Sequence, residues 1–74
     1  DVTAPAEAEE LSQLVAQMID QLPDKEKLVV ELYYQKELTL KEIGKIMEVS
    51  ESRVSQVHSQ AMLRIRGRLK LLLE

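Results

Sequence analysis

The apolar residues of this chain recur with the period of an α-helix and divide it into four segments. The first helix is predicted over 5–21 and the second over 23–35, with residues 1–4 loose. Spacings of three and four along the first helix form one stripe, as a helix packed on a core requires. That stripe is Leu11, Leu14, Val15, Met18, Ile19 and Leu22. The second helix begins at Pro23, which suits a first turn because its missing N–H needs no partner there. Its apolar face is expected to be Leu28, Val29, Leu32 and Tyr33.

The carboxyl-terminal half predicts two further helices, over 40–47 and 51–73, joined by three residues. Thr39 and Glu42 have the spacing of a capping box, in which the threonine hydroxyl accepts one backbone N–H and the glutamate accepts another. Two helices joined by so short a turn match a helix-turn-helix. We therefore predict one all-α domain over 1–74, with four helices, a carboxyl-terminal helix-turn-helix and a long final helix.

Residues near the turn support this prediction. Gly44 lies where the two helices should cross, so that a small residue is needed there. Glu48 stands at a turn position that tends to be left-handed, where a residue other than glycine costs roughly 1 kcal/mol. Ser50 is a favoured cap for the last helix. The apolar face of the third helix is expected to be Leu40, Ile43, Ile46 and Met47, and the seam between the two helices Ile43, Val49, Val54 and Val57.

The final helix is long for a small domain. At 1.5 Å per residue it extends roughly 34 Å, which three short neighbours in a domain of this size cannot cover. Its end is rich in leucine, and exposed leucine clusters usually mark a partner site. We expect a protein-docking surface at Leu69, Leu71, Leu72 and Leu73.

Composition excludes several classes of function. The 74 residues contain no cysteine and one histidine, which argues against disulfides and against thiolate or histidine-rich metal sites. The carboxylates cluster at helix starts, where the helix dipole accounts for them without an acid–base pair. No glycine-rich phosphate loop is present. We therefore expect a protein that is not an enzyme and that takes no cofactor, metal or small-molecule ligand.

The hydropathy pattern offers no membrane segment. No apolar run approaches the roughly 20 residues that span a bilayer. No basic-then-apolar leader opens the sequence. We expect a cytoplasmic protein without a membrane partner.

Charge is distributed unevenly along the chain. The net charge is −3, which by itself speaks against nucleic-acid binding. Residues 1–37, however, hold nine acidic and three basic residues, whereas residues 38–74 hold four acidic and seven basic ones. The second half, which contains the helix-turn-helix, is thus the half that phosphates attract.

The outward positions at the start of the last helix carry side chains able to read bases. In a helix-turn-helix the second helix lies in the major groove with its first turns against base edges. The candidates are Glu51, Ser52, Arg53, Ser55 and Gln56. Arginine can fork to guanine, glutamine can pair with adenine and glutamate can accept from cytosine. Lys41 and Lys45 can meet phosphates, and Thr39 completes the DNA-binding candidates. The alternative is an ordinary solvated helix face.

Three aromatic or imidazole side chains fall outside these sites. Tyr33 is expected in the core and Tyr34 half-exposed, although stacking of the pair on a nucleic acid base is an alternative. His58 lies one turn past the reading positions. A surface histidine is expected there, with a DNA contact as the alternative, since a single histidine has no partner for catalysis.

Four runs of the sequence carry a family resemblance. They are Leu22-Pro23-Asp24-Lys25-Glu26-Lys27, Leu32-Tyr33-Tyr34, Leu38-Thr39-Leu40-Lys41-Glu42-Ile43-Gly44 and Val49-Ser50-Glu51-Ser52-Arg53-Val54-Ser55-Gln56-Val57. Together they resemble region 4 of bacterial sigma factors, most closely the flagellar or motility type, over about residues 10–70. The resemblance implies recognition of the upstream "minus thirty-five" element of promoter DNA, docking on the β flap of RNA polymerase core, and control by an anti-sigma factor. It also implies base contacts from the five positions at the start of the last helix.

Two other functions fit the same pattern. The effector domain of a two-component response regulator shares a four-helix layout with a helix-turn-helix. A purely protein-binding helical module would suit the acidic first half and the apolar tail.

The start of the last helix departs from one family pattern. Family members with an arginine-rich recognition helix have basic residues where this chain has Glu51 and Ser55, so the resemblance implies weaker binding to DNA phosphates here.

Overall fold

The computed structural model describes residues 4–73, with side chains from residue 8 on. Regular secondary structure in that stretch is helical throughout, which confirms the predicted all-α class. The elements are α1 (Ala4–Asp20), α2 (Asp24–Val30), a π-helical turn that continues α2 (Glu31–Gln35), α3 (Leu40–Met47) and α4 (Glu51–Leu73).

The beginnings of the first two helices differ from the predicted ranges. Ala4 already belongs to α1, where the prediction had a loose segment over 1–4, and residues 1–3 lie outside the described part of the chain. Pro23 precedes α2 instead of opening it. Its backbone is extended, with φ −53° and ψ 148°, and its carbonyl accepts the N–H of Lys27 at 2.9 Å. The proline is thus the cap residue of α2.

The core consists of two clusters that share α2 and α4. The first cluster contains Met18, Leu22, Val30, Ala61 and Ile65. The second contains Val29, Ile43, Val54 and Val57. Val29 and Val30, which are adjacent in α2, thus belong to different clusters. The first turns of α4 contribute Val54 and Val57 to the second cluster, and the middle of α4 contributes Ala61 and Ile65 to the first. Because α3 packs on the second cluster and α1 on the first, the helix-turn-helix and the α1 side of the domain have separate cores along one continuous helix.

An ion pair between a buried carboxylate and a half-exposed arginine joins α2 to the middle of α4. Glu26 is only 6% exposed. Arg64 grips it with two hydrogen bonds, Nε to Oε1 at 3.0 Å and Nη2 to Oε2 at 3.1 Å. A buried carboxylate needs such paired donors to offset its loss of hydration. The pair therefore fixes how α4 lies against α2.

The turn of the helix-turn-helix has the predicted glycine crossing. A Cβ atom on Gly44 would lie 2.8 Å from the carbonyl oxygen of Val49, so no side chain fits. Glu48 is left-handed, as expected, with φ 58° and ψ 42°. The predicted seam is wrong at Val49, whose side chain is 39% exposed. The left-handed residue turns the chain so that the backbone of Val49, and not its side chain, meets Gly44, and its N–H bonds the Gly44 carbonyl at 2.9 Å.

The predicted apolar stripes are wider than the faces that the helices bury. Leu11, Leu28 and Ile46 belong to them in sequence but are exposed. On α3 the buried residue Ile43 and the partly buried Met47 face the second cluster. Ile46 stands one step of about 100° from Met47, on the outer side. Each of these helices therefore buries a narrower stripe than its sequence offers.

Candidate nucleic-acid interface

The start of α4 presents a polar surface on a rigid support. The Ser50 hydroxyl accepts the N–H of Arg53 at 3.1 Å, which caps the helix as predicted. Val54 and Val57 are buried beneath this turn and hold it against α3. The five predicted reading residues are all exposed: Glu51, Ser52, Arg53, Ser55 and Gln56. The structure therefore places every one of them on the open surface of the helix start.

Two of these residues contact each other. Nη1 of Arg53 donates a hydrogen bond to Oε1 of Gln56 at 3.3 Å, one helical turn away. This contact occupies the amide oxygen of the glutamine and leaves its NH₂ group and most of the guanidinium fork open. A donor-rich pair in a defined orientation is suited to acceptors such as the purine N7 and O6 atoms at the floor of the major groove.

The start of α3 carries the predicted capping box. The Thr39 hydroxyl accepts the N–H of Glu42 at 3.1 Å, and Oε1 of Glu42 accepts the N–H of Thr39 at 3.0 Å. The hydrogen bond that the ionised carboxylate accepts from the Thr39 N–H, together with the neighbouring Thr39 hydroxyl, holds the pKa of Glu42 below its ordinary value. The Thr39 hydroxyl still has its own proton to donate. Lys41 and Lys45 lie one turn apart on α3, and both are exposed.

An aromatic cluster against α4 escaped the sequence analysis. Tyr33 is 37% exposed, so the expectation that it lies in the core is wrong. Its ring packs edge-on against Tyr34, with centroids 4.8 Å apart, and against His58 at 5.3 Å. The Tyr34 hydroxyl forms a 2.8 Å hydrogen bond with Nε2 of His58. His58 is therefore bonded to the π-helical turn and is not an isolated surface histidine.

The π-helical turn is the reason for this cluster. The N–H of Lys36 donates a hydrogen bond at 3.2 Å to the carbonyl oxygen of Glu31, five residues earlier, and this bond closes a turn wider than that of an α-helix. The extra residue in the turn moves Tyr33 off the α-helical stripe that the spacing predicted. No sequence signal for such a turn is apparent in this stretch.

The leucine-rich end of α4 divides into two parts. Leu71, Leu72 and Leu73 are exposed, at 80%, 61% and 74%. Leu69, which was predicted to share their surface, instead packs against the first core cluster. Leu69 is therefore less exposed than its neighbours, and its role in docking stays a prediction.

Beside these leucines runs a groove of about 360 Å³. It is lined by residues of α1 and of the end of α4, namely Leu14, Gln17, Met18, Gln21, Arg68, Leu71 and Leu72. The groove joins the exposed leucines to the edge of the first core cluster.

Other kinds of site were searched in the described residues. Between residues 4 and 73, no group of three or more histidine, cysteine, aspartate or glutamate side chains is placed to hold a metal ion. No helix in the same stretch is long and apolar enough to cross a membrane.

Comparison with known proteins accords with this geometry. The family model "Sigma-70, region 4" matches residues 18–67. The RNA polymerase sigma factor FliA of Yersinia enterocolitica is 61% identical over 59 residues, which are 80% of this chain and 26% of that protein. The RNA polymerase sigma-D factor of Bacillus subtilis is 42% identical over 66 residues, 89% of this chain and 26% of that protein. The chain thus spans about a quarter of the length of these relatives.

A solved structure resembles the fold as well. It is the cocrystal structure of a flagellar sigma/anti-sigma complex, sigma-28 with FlgM. The similarity covers 93% of this chain and 30% of the sigma chain, with a TM-score of 0.81 and 40% sequence identity. The family model spans the second core cluster, the helix-turn-helix and most of α4. From its sequence and from the fold of its helix-turn-helix, the chain belongs to the sigma-70 region 4 family.

Proposed function

We propose that this chain is the promoter-recognition domain of a motility-type sigma factor and that it reads the upstream "minus thirty-five" element for RNA polymerase. One observation carries the proposal: a capped helix-turn-helix of the sigma-70 region 4 family presents an exposed, mutually oriented Arg53–Gln56 pair at the start of its second helix. Relatives of the FliA and sigma-D type support the motility assignment over the response-regulator alternative.

In this proposal the start of α4 enters the major groove. Arg53 and Gln56 contact base edges, and Glu51, Ser52 and Ser55 surround them on the same exposed helix start. Arg53 reads a guanine and the amide NH₂ of Gln56 donates to an acceptor on the neighbouring base.

The preceding helix supplies the contacts that fix the register. Lys41 and Lys45 on α3 neutralise phosphates, and the Thr39 hydroxyl donates its remaining proton to a phosphate oxygen. With so few basic residues near the groove, binding by this domain alone is weak, and the polymerase supplies the remaining affinity.

Two protein partners complete the proposal. The domain docks on the β flap of RNA polymerase core, and an anti-sigma factor binds it to prevent that docking. The support is the set of exposed leucines at the end of α4, Leu71, Leu72 and Leu73. The similar solved structure is a complex of a sigma factor with an anti-sigma protein. The role is that of a DNA-binding regulator without catalysis, exercised in the cytoplasm where the polymerase acts.

The test is DNA binding by the 74-residue chain, measured by fluorescence anisotropy at low salt. One duplex carries the "minus thirty-five" element of a flagellar promoter, and a second carries the same base composition in permuted order. We expect at least tenfold tighter binding to the first. Equal affinity for the two duplexes, together with capture of the polymerase flap, supports the protein-binding alternative and contradicts promoter reading.

A further inference from the structure

Glu51 opens α4 with an exposed carboxylate. Within the described part of the chain, the ion pairs join Lys27 to Asp20 and Arg64 to Glu26, and neither involves Glu51. The side-chain cap of this helix start is the Ser50 hydroxyl. An ionised carboxylate only accepts hydrogen bonds. Among residues 8–73, both oxygens of Glu51 thus stay open to donors of another molecule.

Glu51 and Arg53 lie on opposite flanks of α4. Each residue turns an α-helix by about 100°, so these two side chains stand about 160° apart around the axis. Arg53 and Gln56 are only about 60° apart and share a hydrogen bond on one flank. On the other flank, Glu51 lines a cleft of about 460 Å³ together with Tyr33, Glu37, Leu38, Thr39 and Leu40. The start of α4 therefore has a donor-rich flank at Arg53 and an acceptor flank at Glu51.

The two flanks match different atoms of the bases. In the major groove, the amino groups at cytosine N4 and adenine N6 are the donors, whereas guanine O6, thymine O4 and the purine N7 atoms are acceptors. A carboxylate accepts a hydrogen bond from an amino group and is repelled by an acceptor oxygen. Glu51 can therefore distinguish cytosine or adenine from guanine or thymine on the strand that it faces.

We propose that Glu51 is a specificity-determining residue, which accepts a hydrogen bond from the amino group of a cytosine or adenine on the strand opposite the base that Arg53 reads. The inference rests on the promoter-recognition function proposed above and names the base chemistry at one position. Since the recognition helix lies in the groove, its two flanks turn toward opposite strands. A guanine or thymine at this position sets an acceptor against the carboxylate, so the wrong base is repelled and not merely left without a contact.

Two other roles for Glu51 make different predictions. The dipole of α4 favours an acid in its first turn, but that contribution does not depend on DNA sequence and is measured by the Tm of the free chain. A phosphate contact is opposed by charge, because a carboxylate repels a phosphate. Base reading is thus distinguished by the ratio of the affinities for two DNA sequences.

The experiment measures binding of the wild-type chain, Glu51→Ala, Glu51→Gln and Glu37→Gln to the promoter duplex and the permuted duplex of the anisotropy assay. Glu37→Gln is the matched control, because it removes the same charge from the same cleft at a residue outside α3 and α4. We expect Glu51→Ala to lower the ratio of the two affinities at least fivefold, the order expected for one base contact. Glu51→Gln should lower the ratio chiefly by tighter binding to the permuted duplex, because an amide accepts and donates. Glu37→Gln should change both affinities by the same factor.

A second measurement identifies the base. Each adenine of the promoter element, on either strand, is replaced in turn by purine and each cytosine by 2-pyrimidinone, which lack only the amino group. We expect one replacement to weaken wild-type binding at least fivefold and to leave Glu51→Ala unaffected, the sign of direct coupling. Glu51→Ala on the same duplexes also controls for their weaker base pairing. Replacement of guanine by 7-deazaguanine, which lacks N7, locates the base that Arg53 reads, and that base should lie on the other strand.

Several results overturn the inference. If wild type and Glu51→Ala distinguish the two duplexes equally well, promoter reading stands and the role of Glu51 is wrong. If Glu37→Gln lowers the ratio as much as Glu51→Gln does, the charge of the cleft acts and no base contact is made. If Glu51→Ala lowers the Tm and weakens binding to both duplexes alike, Glu51 only supports the helix start. If no replaced base is coupled to Glu51, the amino-group contact does not exist. If wild type binds both duplexes equally, the proposed function fails and this inference fails with it.

Discussion

The glycine at the helix crossing offers a direct test of the helix-turn-helix geometry. A Cβ atom at position 44 would lie 2.8 Å from the Val49 carbonyl oxygen, a backbone atom. The N–H of Val49 donates a hydrogen bond to the Gly44 carbonyl at 2.9 Å, so the backbone of the turn is held directly against the backbone of α3. Gly44→Ala must therefore push α4 away from α3 or strain the turn.

A matched control exists in the same chain. Gly67 is also within a helix, but a Cβ atom there meets nothing within 4 Å. Both substitutions gain about 1 kcal/mol of helix propensity. At Gly44 the overpacking costs about 1–3 kcal/mol, so that the two variants should differ in stability by about that amount.

Thermal unfolding followed by circular dichroism measures this difference. For a domain of this size, 1 kcal/mol shifts the Tm by roughly 4–8 °C. Gly67→Ala should raise the Tm by roughly 4–8 °C, whereas Gly44→Ala should leave the Tm unchanged or lower it. A promoter-binding assay should show loss for Gly44→Ala alone, because the α3 lysines move relative to the reading residues. If Gly44→Ala raises the Tm as much as Gly67→Ala does, the close approach of the two backbones is not a constraint.

Other predictions concern reading, docking and pH. Arg53→Ala should weaken promoter binding by about 1–3 kcal/mol and relax preference at one base pair; an equal loss on all DNA sequences in the anisotropy assay would assign Arg53 to a phosphate. Leu72→Asp should weaken capture of the polymerase flap without unfolding the chain, whereas Leu69→Asp should lower the Tm because Leu69 packs on the first core cluster; a folded Leu72→Asp variant that still captures flap normally contradicts the docking surface. The lowered pKa of Glu42 stabilises the fold above the ordinary glutamate pKa, and this contribution is lost as pH falls through the folded-state pKa. The Tm advantage of wild type over Glu42→Gln should therefore shrink in acid, and a constant difference over the whole pH range excludes the capping-box role.

The parts of this fold that the sequence predicts are those with local causes. Thr39 and Glu42 form their capping box within a single turn, so spacing alone indicates it. Gly44 and the left-handed Glu48 follow from the shortness of the turn. The four-helix arrangement follows because apolar stripes of period 3.6 must share a core. The outward position of the α4 reading residues follows from the buried side chain of Val54, since a helix face is set once its opposite face is known.

The remaining features depend on contacts between distant parts of the chain. Tyr33 lies on an apolar stripe in sequence, but a π-helical turn rotates it to the surface beside His58. Leu69 lies on the same face of α4 as buried Ile65, but how far that face is covered depends on the contacts of the first core cluster. Among the described residues, Nη1 of Arg68 is shielded from solvent and has no hydrogen-bond partner, which is likewise visible only in the folded chain.

The two ends of α4 carry separable surfaces because the helix is continuous between them. Arg53 and Leu72 stand nineteen residues apart, which places them about 28 Å apart along the axis at 1.5 Å per residue. The middle of the helix is fixed from the side by the pair of Arg64 with buried Glu26. The two surfaces are therefore too far apart for one side-chain substitution to reach both. The same separation makes the tests at Arg53 and Leu72 independent: each substitution removes one surface, and a variant that loses both DNA binding and flap capture has disturbed α4 itself.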